Sequence, residues 1–279
     1  MSQLEGKVAF ITGAARGQGR NHAVRLAERG VDIIALDINR SISTVAYPGP
    51  DADDLAETVR QVEATGRRII AREVDVRDAD KVKAVVDEGF EQFGRIDIII
   101  PNAGIASVAA VGDLTPKIWD DMIDINLNGV WYSIAAALPH MRAGGRGGSI
   151  VLIGSVCSQK GLGNLAHYVA AKHGVAGMTK TLAFELGVEN IRVNSLWPTN
   201  VDTDMVQNEW VRKLFLPEIE SPTREDCEQP DSAYCMANAI PVPWIDIDDV
   251  TNVVLFLVSD EARYITGTGI PIDAGFLLK

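Results

Sequence analysis

The sequence has few cysteines and no pattern that would use them for cross-linking or metal binding. Its 279 residues include three cysteines, Cys157, Cys227 and Cys235, and no CxxC motif. Three cysteines cannot all pair within one chain, so a disulfide framework is not predicted, and neither is a zinc site or another metal centre. We therefore expect reduced thiols and a cytoplasmic protein.

Positive charge is also scarce. The chain carries 26 Lys and Arg against 38 Asp and Glu, a formal net charge of −12 at pH 7, with no dense basic run. Nucleic acids and anionic membrane surfaces are bound by basic footprints, so neither is expected as a partner. No apolar run reaches the ~18 residues of a membrane span. Glu5 lies where a secretory signal would be basic and then apolar, so no such signal is predicted.

Short apolar runs alternate with longer amphipathic stretches along the chain, without a repeat of fixed period or a domain-separating linker. The runs are rich in β-branched residues and apolar on both faces, which is typical of strands in a parallel sheet covered on both sides. The predicted strands are Val8–Thr12, Asp32–Leu36, Ile69–Val74, Ile96–Ile100, Ile150–Ile153, Ile191–Leu196 and, as a seventh, Gly269–Ile272.

The stretches between the strands show the apolar spacing of helices. Asp53, Asp78 and Asp248 stand where N-caps belong, and Gly66 and Gly94 stand where helices stop. The predicted helices are Gly17–Arg29, Asp53–Thr65, Asp78–Phe93, Thr115–Met141, Tyr168–Leu186 and Asp248–Val258. The alternation predicts an α/β fold of one domain over residues 1–279, a three-layer doubly wound parallel sheet of the Rossmann type.

Two segments interrupt this alternation. Residues 39–52 form an insert after the second strand, and residues 205–246 form a long segment rich in Pro and acidic residues. Connections of this length are usually functional or disordered. We interpret the second as a small helical substrate lid, and we call it the lid segment. Its apolar character favours a lipophilic substrate, and the residues that carry this interpretation are Trp197, Met205, Trp210, Leu214 and Phe215.

A glycine-rich turn, Thr12–Gly19, joins the first strand to the first helix. Glycines there let backbone N–H groups approach a pyrophosphate at the positive end of the helix. Asp37 follows 18 residues after Gly19, at the end of the second strand. A carboxylate in this place can bind both adenosine ribose hydroxyls and repel a 2′-phosphate, which favours NAD. Arg16 and Arg40 could instead meet a 2′-phosphate, so an NADP-dependent ketone reductase is the alternative.

Three further residues suggest acid/base chemistry. Ser155 follows the fifth strand, and Tyr168 and Lys172 share one face of a helix because they are four residues apart. An ammonium beside a phenol should lower the tyrosine pKa and make Tyr168 a usable acid or base near neutrality. Ser155 could polarise the reacting oxygen from the other side.

In motif order over nearly the whole chain, the sequence resembles the short-chain dehydrogenase/reductase family. Further matches are Asp75-Val76, Asn102-Ala103-Gly104, Asn126 and the stretch Pro198–Thr203. The resemblance implies that Tyr168 is the acid/base, Ser155 orients the substrate oxygen, Lys172 binds the nicotinamide ribose and Asn126 holds a water. It implies that the cofactor is bound by Gly13, Arg16, Gly17, Gln18, Gly19, Asp37, Asp75, Val76, Asn102, Ala103, Gly104, Tyr168, Lys172, Pro198, Val201 and Thr203.

The residues of the glycine turn, and the insert with Tyr47 and Pro48, resemble those of a narrower subgroup, the carveol-dehydrogenase-like, mycofactocin-associated enzymes. This resemblance implies a homotetramer that transfers hydride between NAD and a lipophilic, carveol-like secondary alcohol or its ketone. It also implies a retained NAD that an external redox partner reoxidises. A non-catalytic nucleotide-binding sensor on the same fold is the rival from another class. The intact set of Ser155, Tyr168 and Lys172 argues against that rival.

Overall fold

A parallel sheet forms the centre of the computed structural model, which describes residues 4–279. Its strands are β1 (Val8–Thr12), β2 (Asp32–Asp37), β3 (Ile69–Glu73), β4 (Ile98–Ile100), β5 (Gly148–Ile153), β6 (Ile191–Pro198) and β7 (Gly269–Ile272). The strand order is β3-β2-β1-β4-β5-β6-β7. The chain therefore changes direction across the sheet between β1 and β4, which is where ligands bind in open α/β sheets.

Helices cover both faces of the sheet, as the alternation predicted. They are α1 (Gly17–Ala27), α2 (Ala52–Ala64), α3 (Ala79–Phe93), α4 (Pro116–Ile123), α5 (Gly129–Ala143), α6 (Ala166–Leu186), α7 (Glu209–Phe215), α8 (Arg224–Glu228), α9 (Ala233–Met236) and α10 (Ile247–Val258). Successive residues of β1 enter opposite cores: Phe10 packs with residues of α3, α5 and α6, and Ile11 with residues of α1 and α10. The predicted fold class is confirmed.

Two of the three predicted N-caps are wrong by two residues. Asp78 caps α3 by accepting from the Lys81 N–H. Helix α2 is capped by Asp51 and α10 by Asp246, each in a capping box with an acid three residues later. Each of these helices offers acids two residues apart, and the sequence pattern alone cannot decide which one leaves the helical conformation.

The predicted helix Thr115–Met141 is not a single α-helix. A π-helical turn at Asp124–Asn128 separates α4 from α5. A turn of this kind often marks a functional site, and here it contains Asn126. A π-helical turn holds one residue more than an α-helical turn. The apolar spacing of the sequence continues through it, so the spacing does not predict the turn.

The lid segment contains the three short helices α7, α8 and α9 around the buried side chain of Tyr234. Phe215 packs on Tyr234 with ring centroids 4.3 Å apart. Cys157, Cys227 and Cys235 are free and buried. Across residues 4–279, none of the helices has both the length and the apolar character needed to cross a membrane.

Candidate functional site

The turn between β1 and α1 is too tightly packed for side chains at two of its glycines. Gly13 has φ +67°, and a Cβ there would lie 2.7 Å from the Ala103 Cα. A Cβ at Gly19 would lie 2.0 Å from the Gly13 carbonyl oxygen. No side chain therefore covers the backbone at these two positions, and the N–H groups at the start of α1 can approach an anion.

A groove runs along this turn over the carboxyl ends of the strands. Its lining of turn glycines with an acid at one end fits a dinucleotide. Gly19 packs behind the turn and does not line the groove. The other residues predicted for the adenosine and pyrophosphate end do line it. The predicted residues that line the groove are Gly13, Arg16, Gly17, Gln18, Asp37, Asp75, Val76, Asn102, Ala103, Gly104 and Thr203.

Asp37 lies at the far end of the groove and is 8% exposed. Its carboxylate accepts hydrogen bonds from the N–H groups of Ala15 (2.8 Å) and Ile38 (2.7 Å). Burial raises the pKa of Asp37, and the two backbone N–H groups oppose that rise. A carboxylate has about four acceptor positions, so two remain for ribose hydroxyls.

The two arginines that could have met a 2′-phosphate already have carboxylate partners. Arg40 pairs with Asp75 at 3.0 Å, and Arg16 pairs with Asp204 at 2.8 Å. Arg16 also donates to the carbonyl oxygen of Pro48. Arg16 therefore joins the insert to Asp204, which directly precedes the lid segment and also lines the groove.

The insert covers one side of the groove. Ile42, Val45, Tyr47 and Pro50 contribute to its lining. Tyr47 is buried, and its hydroxyl accepts a hydrogen bond from the Ala106 N–H at 3.2 Å. The insert is thus packed against the body of the fold on the side where the adenosine end of a dinucleotide would lie.

A second, more apolar cavity joins the groove and contains Ser155, Tyr168 and Lys172. The Lys172 ammonium donates to the Ile153 carbonyl oxygen at 2.8 Å and lies 5.5 Å from the centre of the Tyr168 ring. Burial lowers the pKa of Lys172 to about 8. Pro198, Val201 and Thr203, predicted for the nicotinamide end, also line this cavity.

The predicted lowering of the Tyr168 pKa is wrong for this structure. Burial raises the pKa of Tyr168, and a hydrogen bond with Ser155 opposes the rise only in part. The Lys172 ammonium gives its hydrogen bond to Ile153 and not to the phenol. The resting state of Tyr168 is therefore the neutral phenol, which is the form that can donate a proton.

Asn126 is fully buried in the π-helical turn and does not line either cavity. Its Oδ1 accepts from the Ile105 N–H and its Nδ2 donates to the Ile105 carbonyl oxygen, both at 2.8 Å. Asn126 thus fixes Ile105, which lines both the groove and the cavity. Its predicted role in holding a water stays a prediction.

The apolar wall of the cavity agrees only partly with the residues chosen from the sequence. Met205, Leu214 and Phe215 line the cavity. Trp197 does not, because its indole donates to Ser195 at 3.0 Å and packs beside Gly269. Trp210 is 48% exposed and lies outside the lining. The apolar wall also contains residues that were not predicted: Val206 and Val211 from the lid segment, and Val108, Leu162, Leu165 and Phe276 from other parts of the chain.

Comparison with known proteins gives one consistent result. A model of the short chain dehydrogenase family matches residues 7–213. (−)-trans-Carveol dehydrogenase of Rhodococcus erythropolis is 50% identical over 280 positions, covering 100% of both chains. Carveol dehydrogenase from Mycobacterium avium, solved in complex with NAD, is 51% identical with a TM-score of 0.97, covering 100% of both chains. A short chain dehydrogenase from Mycobacterium paratuberculosis, solved bound to NAD, is 44% identical with a TM-score of 0.91, covering 99% of this chain and 100% of that one.

The matched region contains the glycine turn, the groove, and the cavity residues Ser155, Tyr168 and Lys172. The resemblance first read from these motifs therefore holds for the chain as a whole. This chain belongs to the short-chain dehydrogenase/reductase family.

Proposed function

We propose that this chain is an NAD-dependent dehydrogenase that interconverts a lipophilic secondary alcohol and its ketone. The observation that carries the proposal is the junction of two cavities. One is a groove along the glycine turn with Asp37 at its end, and the other is an apolar cavity that holds Ser155, Tyr168 and Lys172. NAD-linked turnover of a panel of secondary alcohols tests it, with NADP as the comparison cofactor.

Each polar residue of the cavity has its own role in the transfer of one proton. When bound, NAD supplies the nicotinamide that accepts hydride from the alcohol carbon and, as NADH, returns it. Tyr168 exchanges a proton with the substrate oxygen, as acid towards a ketone and as phenolate towards an alcohol. Ser155 holds that oxygen, and Lys172, fixed by Ile153, provides the positive charge that favours the phenolate.

The substrate class follows from the cavity wall. Its apolar residues come from the lid segment, from the chain directly before α6 and from the C-terminal segment, so they surround the cavity from several sides. A compact lipophilic ring, such as the terpenoid alcohol named for the Rhodococcus erythropolis relative, would fill such a cavity.

Shortening the cavity wall should discriminate between substrates. Leu214→Ala removes apolar contact from the wall, and we expect kcat/KM for a bulky cyclic alcohol to fall about tenfold. The value for a small acyclic alcohol should change less than about threefold, since little of its surface reaches the wall. Trp210→Ala, outside the lining, is the control and should affect neither substrate. Equal losses for both alcohols in Leu214→Ala would contradict this role.

Asp37 should set the choice of NAD over NADP. Asp37→Asn removes the negative charge and keeps an oxygen that can hold the Ala15 N–H. Charged hydrogen bonds are worth about 1.5–3 kcal/mol, so we expect NAD affinity to fall about tenfold or more. The affinity for NADP should fall less, because the repulsion of its phosphate is relieved. Titration calorimetry with both cofactors measures the ratio, with exposed Asp53→Asn as the control; an unchanged ratio would rule Asp37 out.

The insert and Arg16 suggest that NAD leaves slowly. Tyr47 is buried beside the groove, and Arg16 joins the insert to Asp204, directly before the lid segment, so several contacts must break before a nucleotide can escape. Such contacts act mainly on the rate of dissociation. An external redox partner, of the mycofactocin type implied by the subgroup, would then reoxidise the retained cofactor.

Freshly purified protein should therefore release NAD when it is denatured. We expect substantial bound NAD, with multiple turnovers only when an artificial electron acceptor is supplied. Tyr47→Ala should speed NAD release, and Tyr264→Ala, 89% exposed, should leave it unchanged. Protein that is isolated without nucleotide and turns over readily on added NAD would exclude retention.

The homotetramer and the cytoplasmic location stay predictions. Phe184 and Val188 are each 88% exposed, and association of subunits would cover apolar surface of this kind.

A further inference from the structure

His167 is a buried histidine directly before Tyr168, and the proposed mechanism does not use it. It lies in the first turn of α6 and is fully buried. Its Nε2 shares a hydrogen bond of 2.8 Å with the Ser107 hydroxyl, and its Nδ1 has no partner among residues 4–279. A buried ring nitrogen without a partner is costly, so an apolar residue would fill this place with less loss of stability.

The bond between His167 and Ser107 does not depend on how the ring is protonated near neutrality. Burial lowers the pKa of His167, so the imidazole is neutral. A hydroxyl both donates and accepts, so either neutral tautomer can keep the bond. Ser107 is also buried, and water therefore does not compete for it.

The start of α6 differs from that of other long helices in its cap. The N-cap is Leu165, whose apolar side chain cannot accept hydrogen bonds from the N–H groups of the first turn. Asp78 and Asp246 accept such bonds at the starts of α3 and α10. The end of α6 that carries Tyr168 is therefore held in place by other contacts.

A loop that lines the cavity provides two of these contacts. We call residues 105–109 the wall loop. Its Ser107 bonds to His167, and its Ala109 N–H donates to the Asn164 carbonyl oxygen at 2.9 Å. Asn164 lies two residues before the helix, so the bond from Ser107 is the one of the two that reaches into the helix itself.

The wall loop is itself fixed at its beginning. Asn126 holds Ile105 through two hydrogen bonds of 2.8 Å from the π-helical turn. A loop that is anchored in this way can in turn hold the start of α6. Because Tyr168 directly follows His167, a bond at His167 limits where the phenol can lie in the cavity.

We propose that His167 is a positioning residue whose bond to Ser107 holds the Tyr168 hydroxyl in the place from which it exchanges a proton with the substrate oxygen. The inference rests on the proposed function, in which Tyr168 is the acid/base. Neither His167 nor Ser107 lines the groove or the cavity, so the pair acts through the position of Tyr168 and not by touching substrate or NAD.

Removal of the bond from either side should slow the chemical step. In His167→Leu and in Ser107→Ala we expect single-turnover hydride transfer to bound NAD to slow at least about tenfold, because a misplacement of about 1 Å can cost about 100-fold in rate. The loss should be equal for a small acyclic and a bulky cyclic alcohol, unlike the loss in Leu214→Ala, and NAD affinity should stay within about twofold. The double variant should be no slower than the slower single variant, since both changes remove the same bond.

His167→Gln separates the hydrogen bond from the filling of space. The Gln amide can reach the place of the imidazole Nε2 and bond to Ser107, so this variant should keep the transfer rate within about threefold of the wild type. His22→Leu is the matched control. His22 is also fully buried and bonded to a hydroxyl, that of Thr251 at 2.8 Å, and it lines neither the groove nor the cavity. Its variant loses a comparable buried bond and should keep the wild-type transfer rate.

Ser107→Ala removes a single oxygen atom, so it keeps the test decisive if His167→Leu does not fold. A wild-type transfer rate in Ser107→Ala would overturn the role of His167. A loss in His167→Leu that His167→Gln does not restore would also overturn it, because the loss would then come from the packing of the ring. Failure of the wild type to transfer hydride from any alcohol of the panel would overturn the proposed function instead.

Discussion

Tyr168→Phe should abolish turnover and leave NAD affinity within about threefold of the wild type. The variant removes one hydroxyl from a side chain that lies in the apolar cavity beside Ser155 and Lys172. In the proposed reaction this hydroxyl is the group that exchanges a proton with the substrate oxygen. Loss of general acid/base catalysis costs about 10²–10⁴-fold in rate. Single-turnover hydride transfer and cofactor binding, measured in parallel, separate the two effects.

Tyr264→Phe is the matched control, because it makes the same chemical change on a ring that is 89% exposed. Its turnover should equal that of the wild type. If Tyr168→Phe kept turnover within a few-fold of the wild type, Tyr168 would have no part in the proton transfer.

Lys172→Met should inactivate the protein and stabilise it at the same time. The ammonium is buried, and burial lowers its pKa from an ordinary 10.5 to about 8. Keeping it protonated at pH 7 therefore costs folding free energy, about 1–3 kcal/mol. Met has a similar length and no charge. We expect turnover at least about 100-fold lower and a free energy of unfolding about 1–3 kcal/mol higher, measured by urea denaturation.

The pH dependence of that gain has a definite sign. The unfolded chain binds the Lys172 proton more tightly than the folded protein does, so the penalty is complete below pH 8, the folded-state pKa. It disappears as the pH rises from about 8 to the ordinary lysine pKa of about 10.5. The stability advantage of Lys172→Met should shrink across this window. Lys180→Met, on the exposed face of the same helix, should show neither the gain nor the loss of turnover; an advantage that stays constant with pH would contradict the assignment.

The parts of the fold that could be predicted are those where local chemistry and burial agree. Val8–Thr12 and Gly269–Ile272 have the predicted bounds, because each is an unbroken run flanked by turn residues. The glycine turn and Asp37 were predictable for the same reason: strand, turn and helix follow one another within a short stretch. In each case the residues that decide the structure are close together in the chain.

What could not be predicted depends on contacts between distant segments. The π-helical turn at Asn126 is held by two hydrogen bonds to Ile105, 21 residues away, and the apolar spacing is the same with or without it. Phe276 reaches the cavity from the C-terminal segment, and Trp197 turns away from it. The pKa of Tyr168 depends on the burial of its ring. The four-residue spacing from Lys172 does not reveal that burial.

The ion pair of Arg16 makes the two ends of the site respond together to the solution. Arg16 contacts the insert through Pro48 and, through Asp204, the chain directly before the lid segment; the Asp204 side chain is 63% exposed. The Debye length falls from about 8 Å at physiological ionic strength to about 3 Å at 1 M salt, so high salt weakens a water-exposed pair at 2.8 Å. Higher salt therefore loosens the covers of the groove and of the cavity at once. We therefore expect the dissociation rates of the nucleotide and of the alcohol to rise together with ionic strength, because both depend on the charge of Arg16.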